Sequence, residues 1–316
     1  MRCFSVYSIC RGQQHLKSGR ACDDAAVIAS GRGCRAVAVC DGAGSRKHAR
    51  EGANAAARIA ALYLAEGFDE LFSMPDGECG AAVLYIVRRA LTDEAEELGC
   101  AVRELGSTLM ACAVHEDGRK IVLHIGDGEI DRLDEEGGLS VLSAYDHDIA
   151  ENITELTTTA DAGVREYKSR KRCIYMMYTD GAEPVFSVPN IDRHILSLAL
   201  LLSEDRFRDE CSELFTVRDD STVAVTGDIS LIDTVVSSVA DKAVLSIVLG
   251  ISRGAVESRR GYYGRALTAA ADHPCTLGEM VRLTRQHSAA RTKKKLAPLI
   301  NCGLLEYRNG FYVVKK

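Results

Sequence analysis

Aspartates stand at the ends of several short apolar segments in this 316-residue chain. The set is Asp23-Asp24, Asp41-Gly42, Asp127-Gly128, Asp180-Gly181 and Asp219-Asp220. A single Asp-Gly pair is common turn chemistry and by itself predicts no site. If the five clusters converge, however, their oxygens are the ligands that hard cations such as Mg²⁺ and Mn²⁺ prefer. A glycine after the aspartate also lets the backbone approach such a cation closely.

Short strands and two helices are predicted to position these aspartates. Segments rich in Val, Ile and Cys and bounded by Gly or Asp predict strands at Cys3–Cys10, Ala36–Val39, Leu109–Val114, Ile121–Ile125, Cys173–Tyr178 and Thr222–Val225. Apolar residues at helical spacing predict amphipathic helices over Glu51–Ala65 and Ala81–Leu98. The predicted order of elements, in which strands are followed by a helix pair and then by more strands, is not a regular βαβ alternation. This order predicts an α+β fold with helices packed on antiparallel sheets.

In their order along the chain, six motifs resemble the metal-dependent protein phosphatases of the type 2C (PPM) family, and in particular a compact bacterial branch. They are Cys22-Asp23-Asp24-Ala25, Asp41-Gly42-Ala43-Gly44-Ser45, Gly106-Ser107-Thr108-Leu109, Gly126-Asp127-Gly128, Thr179-Asp180-Gly181 and Asp219-Asp220-Ser221-Thr222. The resemblance covers residues 1–228. It implies a four-layer α-β-β-α sandwich, with metal ions at one edge.

The resemblance implies a protein serine/threonine phosphatase that uses two or three divalent ions, manganese or magnesium. A metal-bridging hydroxide would hydrolyse phosphoserine or phosphothreonine in a protein substrate. Asp41 would bridge two ions, and the Gly42 carbonyl would bind one of them. Asp180 and Asp219 would complete the second site.

Three further carboxylates match the family's pattern. Asp24, together with Asp23, would hold metal-bound waters, and Asp127 stands at the position linked to a third, weaker metal site. Because no direct ligand is missing, the resemblance favours an active enzyme. The alternatives are a transcriptional regulator or docking scaffold whose phosphatase-like domain acts as a sensor.

The chain departs from the family at the leaving-group acid. Where eukaryotic members have histidine after the Asp-Gly pair, this chain has Ala43. His15, His48 or a metal-bound water could replace that acid, and the sequence does not choose between them.

The phosphate-binding arginine of the family is also displaced. Gly19 stands four residues before Asp23, where relatives have arginine. Arg20, Lys17 and His15 are therefore alternative phosphate contacts. Asp23 itself stands where relatives have Glu or Gln, and its shorter side chain would weaken coordination through water.

Composition limits the class of protein. The chain is 47% hydrophobic and 27% charged, which excludes a wholly disordered chain. No apolar run approaches the roughly 18 residues of a membrane span, and the first residues lack a signal-peptide core. None of the 12 cysteines forms a CxxC pair, so we expect reduced core thiols and a cytoplasmic location rather than zinc or disulfides.

Charge divides the chain at about residue 229. Residues 229–316 contain 14 Lys and Arg against 6 Asp and Glu, whereas residues 1–228 contain 25 against 39. This sign change favours two modules with different partners, the alternative being a solvated surface of uneven charge.

The basic part, residues 255–316, resembles a winged helix-turn-helix domain. We expect a helix over Ala255–Ala271, a capping box at Thr276 that starts a helix through Leu283, and a basic helix capped by Ser288 and closed by Gly303. An Asn-Gly hairpin follows over Leu304–Val314. Inside the basic helix, Pro298 predicts a kink or an early end.

Two kinds of partner fit this module. DNA binding and protein docking remain alternatives, and the oligomeric state stays open. Residues 229–254 are too apolar for a free linker, so we expect that this connecting segment packs on one of the modules or on a second copy.

Overall fold

The computed structural model describes residues 3–144, 154–188, 191–228, 273–301 and 305–314, together with positions 231, 262, 265–266 and 269–270. The chain divides into two compact units. The first unit comprises Met1–Ile191 and Arg206–Ile229, and the second comprises Asp192–Asp205 and Ser230–Lys316. The predicted boundaries 1–228, 229–254 and 255–316 stay predictions. Apart from Leu231, the connecting segment lies outside the described residues.

Ten antiparallel strands form two five-stranded sheets in the first unit. The strands are β1 (Cys3–Cys10), β2 (Ala25–Gly31), β3 (Cys34–Cys40), β4 (Leu109–His115), β5 (Lys120–Ile125), β6 (Glu129–Asp134), β7 (Leu139–Ser143), β8 (Arg165–Ser169), β9 (Cys173–Tyr178) and β10 (Ser221–Asp228). Sheet 1 has the order β1-β10-β9-β6-β7, and sheet 2 has the order β2-β3-β4-β5-β8.

Seven helices accompany these strands in the order of the chain. They are α1 (Gln13–Ser18), α2 (Ala49–Glu66), α3 (Phe68–Ser73), α4 (Glu78–Leu98), α5 (Glu183–Phe186), α6 (Ile191–Leu201) and α7 (Glu204–Leu214). Most of α6 belongs to the second unit.

Two apolar clusters of described residues pack the layers of the first unit together. Val37, Val39 and Met110 of sheet 2 pack in one cluster with Tyr175 and Met177 of sheet 1, so the sheets face each other. The opposite face of sheet 2 packs against α2 and α4 in a second cluster. Small residues on α2, mostly alanines, let that helix lie close to the strands. These contacts give a mixed α+β fold, and the fourth layer of the predicted sandwich stays a prediction.

Besides most of α6, the described residues of the second unit include a small sheet and two further helices. A three-stranded sheet has the order β11-β13-β12, where β11 is Cys275–Thr276, β12 is Leu305–Arg308 and β13 is Phe311–Val314. Helix α8 (Leu277–Leu283) begins at the predicted capping box, in which Thr276 and Glu279 bond reciprocally. Helix α9 spans Ala289–Asn301.

Local predictions in this unit have mixed outcomes. The Asn309-Gly310 turn is confirmed, because both residues have positive φ, 51° and 87°, and they join two paired strands. An early end of the basic helix at Pro298 is wrong, since α9 continues to Asn301. The predicted helix over Ala255–Ala271 falls largely outside the described residues, as does Gly303. The winged-helix assignment stays a prediction.

Within the described part of the chain, no helix combines the length and apolar character that crossing a membrane requires. The eleven cysteines that the structure describes are free thiols.

Candidate metal-dependent active site

Strand ends from both sheets meet at one edge of the first unit. Pairing of Ala25 with Cys40 brings Asp24, just before β2, next to Asp41, just after β3. In sheet 1, the Thr179 amide donates to the Thr222 carbonyl at 3.1 Å, which extends the pairing of β9 with β10 to the position before Asp180. The predicted convergence of aspartates is therefore a consequence of strand register.

Asp24 is buried at this edge, with 5% of its surface exposed. Its Oδ2 accepts hydrogen bonds from the hydroxyls of Thr179 at 3.1 Å and Thr222 at 2.8 Å. Its Oδ1 is also buried and has no hydrogen-bond partner. Burial raises the pKa of Asp24 to about 7, assisted by the nearby charges of Asp220 and Asp180 and opposed by the two threonine hydroxyls. An unpartnered buried oxygen of this kind is suited to an electropositive ligand.

Asp41 and Asp180 form the second part of the cluster. The two carboxyls hydrogen-bond each other. Burial, followed by the charges of Asp24 and Asp180, raises the pKa of Asp41 well above its ordinary value. Packing of protein atoms around the Asp180 carboxyl raises the pKa of that group as well. Like charges this close cannot all ionise without a compensating cation.

Thr108 fixes the backbone that carries Asp41. The Asp41 amide donates to Thr108 Oγ1 at 2.9 Å, and the Thr108 amide donates to the Asp41 carbonyl at the same distance. Next to them, Gly42 forms an isolated bridge with Ser107. The Gly106-Ser107-Thr108 motif is thus a brace for the Asp41 loop.

Asp127 and Asp219 lie at the margins of the cluster. Asp127 Oδ2 accepts a hydrogen bond from Thr154 Oγ1 at 2.7 Å, and the charge of Asp127 contributes to the raised pKa values of Asp41 and Asp180. Asp219 is exposed, and its Oδ1 accepts from the Asp220 amide at 2.9 Å. Its charge contributes to the raised pKa of Asp180.

Asp220, which the sequence includes in an aspartate cluster without a role of its own, organises the opening loop. Its Oδ1 accepts from the Gly12 amide at 2.7 Å, and its Oδ2 accepts from the Asp23 amide at 2.6 Å. Oδ2 also lies 2.7 Å from His15 Nδ1, so that nitrogen carries the proton and donates when the carboxylate is ionised. A side chain at Gly12 would collide with the Asp219 backbone, at 2.2 Å from its carbonyl carbon.

The candidate phosphate contacts surround Asp23. Arg20 donates to Asp23 Oδ2 at 2.9 Å, and its own side chain is 54% exposed. His15 Nε2 lies 3.9 Å from the same oxygen. Burial raises the pKa of Asp23, while Arg20 and His15 lower it. Of the candidate phosphate contacts, Arg20 and His15 therefore lie beside Asp23.

The two other candidates have different surroundings. Lys17 is exposed on α1. His48, directly before α2, lies 3.8 Å from Glu51 in the first turn of that helix. Among the described residues, no hydrogen bond or ion pair joins the side chain of either residue to the aspartate cluster.

The donor set fits a hard divalent cation by its chemistry. In the part of the chain that the structure describes, no three His, Cys, Asp or Glu side chains are already arranged to hold a metal ion. The cluster nevertheless contains only oxygen donors, an unpartnered buried carboxylate oxygen and carboxyls with raised pKa values. A divalent ion would satisfy that oxygen and keep the carboxyls ionised.

The raised carboxyl pKa values predict how the metal-free protein responds to pH. In EDTA, the folded state keeps protons on Asp24 and Asp41 that the unfolded state has already released, so stability falls as pH rises. For Asp24 this loss extends from about pH 4 to about pH 7. We expect a lower thermal midpoint at pH 8 than at pH 5, and a smaller decrease in Asp24→Asn. An equally steep decrease in the variant would contradict the assignment.

Close packing at Gly42 predicts a second result. A Cβ at this position would lie 2.7 Å from the Asp23 carbonyl oxygen and 2.9 Å from the Ala49 carbonyl, both of them backbone groups that cannot move aside easily. Gly42→Ala should therefore displace Asp41 and lower turnover at least about tenfold. Gly44→Ala is the matched control, because a Cβ there meets nothing within 4 Å. Equal activities of the two variants, measured on a phosphopeptide, would refute the packing argument.

Comparisons with known structures support the fold. A crystal structure of a bacterial serine phosphatase has a TM-score of 0.53 and 12% identity, covering 72% of this chain and 98% of that one. The serine/threonine phosphatase of S. agalactiae has a TM-score of 0.52 and 14% identity, with coverage of 72% and 99%. Stp1 from Staphylococcus aureus has a TM-score of 0.51 and 13% identity, with coverage of 72% and 96%.

The sequence comparison identifies the family. No curated protein sequence is significantly similar to the chain. The family model described as "Protein phosphatase 2C" matches residues 11–224, which is more than half of the chain and includes every aspartate of the cluster. The chain therefore belongs to the protein phosphatase 2C family of metal-dependent protein serine/threonine phosphatases.

Proposed function

We propose that the protein hydrolyses phosphoserine and phosphothreonine esters in a phosphorylated protein, by attack of water on phosphorus at the aspartate cluster. The observation that carries this proposal is the meeting of Asp24, Asp41 and Asp180 at one edge, with raised pKa values and an unpartnered buried oxygen. When bound, two divalent ions lower the pKa of a shared water and neutralise charge on the phosphoryl oxygens.

Each carboxylate has a proposed task. Asp41 would bridge the ions, the Gly42 carbonyl would bind one of them, and Asp180 and Asp219 would hold the other. Asp24 and Asp23 would act through bound waters, a role that the 2.8 Å bond from Thr222 to Asp24 supports by fixing that carboxyl in one orientation. Mobile or misdirected ligands would not keep the attacking water in line with the leaving group.

Asp127 has a tuning role in this proposal. It would serve a third, weaker metal position. Its hydrogen bond from Thr154 and its effect on the pKa of Asp41 support a place beside the two-metal core.

Arg20 and His15 are proposed to contact the substrate phosphate. The exposed Arg20 guanidinium reaches the rim of the site through Asp23, and a planar cation there can pair with phosphoryl oxygens. Asp220 sets the orientation of His15. Lys17 remains an alternative phosphate contact.

A manganese-dependence assay tests the proposed function. We expect the full-length protein to release phosphate from a phosphothreonine peptide with Mn²⁺ or Mg²⁺, and to lose that activity in EDTA. Undiminished hydrolysis in EDTA would refute the metal mechanism. Absence of hydrolysis with either ion would favour the sensor or scaffold alternative.

A further inference from the structure

The second unit carries a run of positive charge that the phosphatase site does not use. Between Met280 and Leu305 the chain has six Lys and Arg residues and no Asp or Glu. These cations are Arg282, Arg285, Arg291, Lys293, Lys294 and Lys295. Residues 1–228 have the opposite balance, so the positive region is specific to this part of the molecule.

Buried residues orient the two helices beneath these cations. Met280 of α8 and Leu296 and Leu299 of α9 are buried, and so is Thr292 on the same side of α9. The Thr292 hydroxyl donates a hydrogen bond to the Ser288 carbonyl oxygen at 2.9 Å. The helix pair therefore turns one side inward and is held there by apolar packing.

The opposite side of α9 is exposed and mixes cations with small residues. Arg291, Lys293 and Lys294 are exposed there, together with Ala289 and Ala290. A 13-residue helix is about 20 Å long. Small side chains between cations allow the helix backbone to approach a groove while the longer side chains reach its walls.

Four of these cations form no ion pair with a carboxylate that the structure describes. Among the described residues, Arg285, Arg291, Lys293 and Lys294 form no ion pair within 4 Å, unlike Arg20 or Arg119 of the first unit. Lys295 differs, because its ammonium lies over the Tyr262 ring at 4.7 Å. Exposed cations on and beside one helix face can attract an external polyanion.

The β12–β13 hairpin adds a second exposed element to the same unit. It packs against α9 through β12, and its turn residues are exposed. Arg308 stands directly before the turn, paired with Phe311 after it. Tyr307 and Phe311 are exposed large side chains, at 50% and 40%. Arg308 thus lies across from one exposed ring, Phe311, and a cation at this place can contact a phosphate oxygen.

From these observations we propose that the exposed face of α9, with Arg285 before it and Arg308 on the hairpin, binds double-stranded DNA through its phosphates. The B-DNA major groove is about 12 Å wide and admits one helix of this diameter. Evenly spaced phosphates on both walls match cations placed on both flanks of a small-residue helix face. An acidic protein could neutralise the same charge but would not require that spacing. The proposal is independent of the phosphatase mechanism.

Fluorescence anisotropy with a labelled 20-base-pair duplex of mixed sequence tests the proposal on the full-length protein. We expect a Kd of about 1 μM or tighter at 50 mM salt, and a steep loss of affinity as salt rises. The variant Arg291→Ala/Lys293→Ala/Lys294→Ala should bind at least about tenfold more weakly. In a plot of log affinity against log salt concentration, the slope for this variant should be smaller in magnitude by roughly 2 to 3, as expected for three lost phosphate contacts.

The matched control removes the same charge from exposed helix positions of the first unit, as Arg50→Ala/Arg58→Ala/Arg89→Ala. It should retain affinity and salt slope, and circular dichroism should show that both variants are folded. Weak binding without salt dependence would overturn the proposal, as would an equal loss in the control. Equal displacement of the duplex by poly-glutamate at the same charge concentration would also overturn it, in favour of an acidic protein partner.

Discussion

Asp41→Asn is expected to lower turnover of a phosphothreonine peptide by about three orders of magnitude while the protein stays folded. The substitution keeps the shape of the side chain but removes the charge that would bridge two cations. The Asp41 carboxyl also hydrogen-bonds Asp180. Burial, followed by the charges of Asp24 and Asp180, raises the pKa of Asp41. Without metal, the neutral amide should relieve this repulsion, so thermal stability in EDTA should not fall.

The measurement is kcat with saturating Mn²⁺, together with a calorimetric titration of the metal. Asp209→Asn is the matched control, because Asp209 is exposed on α7 and lies outside the cluster. It should retain full activity and metal affinity. An Asp41→Asn variant with activity within about threefold of the wild type would contradict the role of Asp41.

Asp220→Ala is expected to be the most damaging single substitution for stability in this region. The change removes three hydrogen-bond acceptor contacts at once, to the amides of Gly12 and Asp23 and to His15. Hydrogen bonds to a charged group are worth about 1.5–3 kcal/mol each, and two of the donors would be left buried. We expect the free energy of unfolding to fall by about 3 to 5 kcal/mol, with turnover falling as well.

The adjacent residue supplies the control for this prediction. Ser221 is equally buried, but its hydroxyl has no hydrogen-bond partner. Ser221→Ala should therefore change the free energy of unfolding by less than about 1 kcal/mol and leave turnover intact. Chemical denaturation of both variants measures the difference. A loss in Asp220→Ala no larger than that in Ser221→Ala would show that the three bonds do not stabilise the loop.

Local sequence pattern is sufficient to predict many strands and helices of the fold. The predicted strands Cys3–Cys10 and Cys173–Tyr178 match the observed β1 and β9 at both ends. They are continuous runs of strand-forming residues, bounded by residues that favour turns. Helix α8 begins after Thr276 as predicted, because its capping box is a contact within a single turn.

Strands β6 and β8 were not predicted. Their sequences, Glu129–Asp134 and Arg165–Ser169, are rich in charged residues and carry little hydrophobic pattern. β6 is paired on both sides, with β7 and β9, and β8 extends sheet 2 along β5. Both strands exist because neighbouring strands supply hydrogen bonds, and no local propensity reveals such pairing.

At the site, local sequence pattern is sufficient to predict which aspartates stand at strand ends, because Asp-Gly turns and apolar runs are short-range features. The hydrogen-bond partners of these aspartates, in contrast, depend on the tertiary fold. Thr179 and Thr222 of sheet 1 both donate hydrogen bonds to Asp24, which precedes a strand of sheet 2. The Gly12 amide donates to Asp220, which lies more than 200 residues further along the chain. Those contacts depend on the register of antiparallel strands and on face-to-face packing of the sheets. Such distant pairings arise only when the whole domain closes around one core.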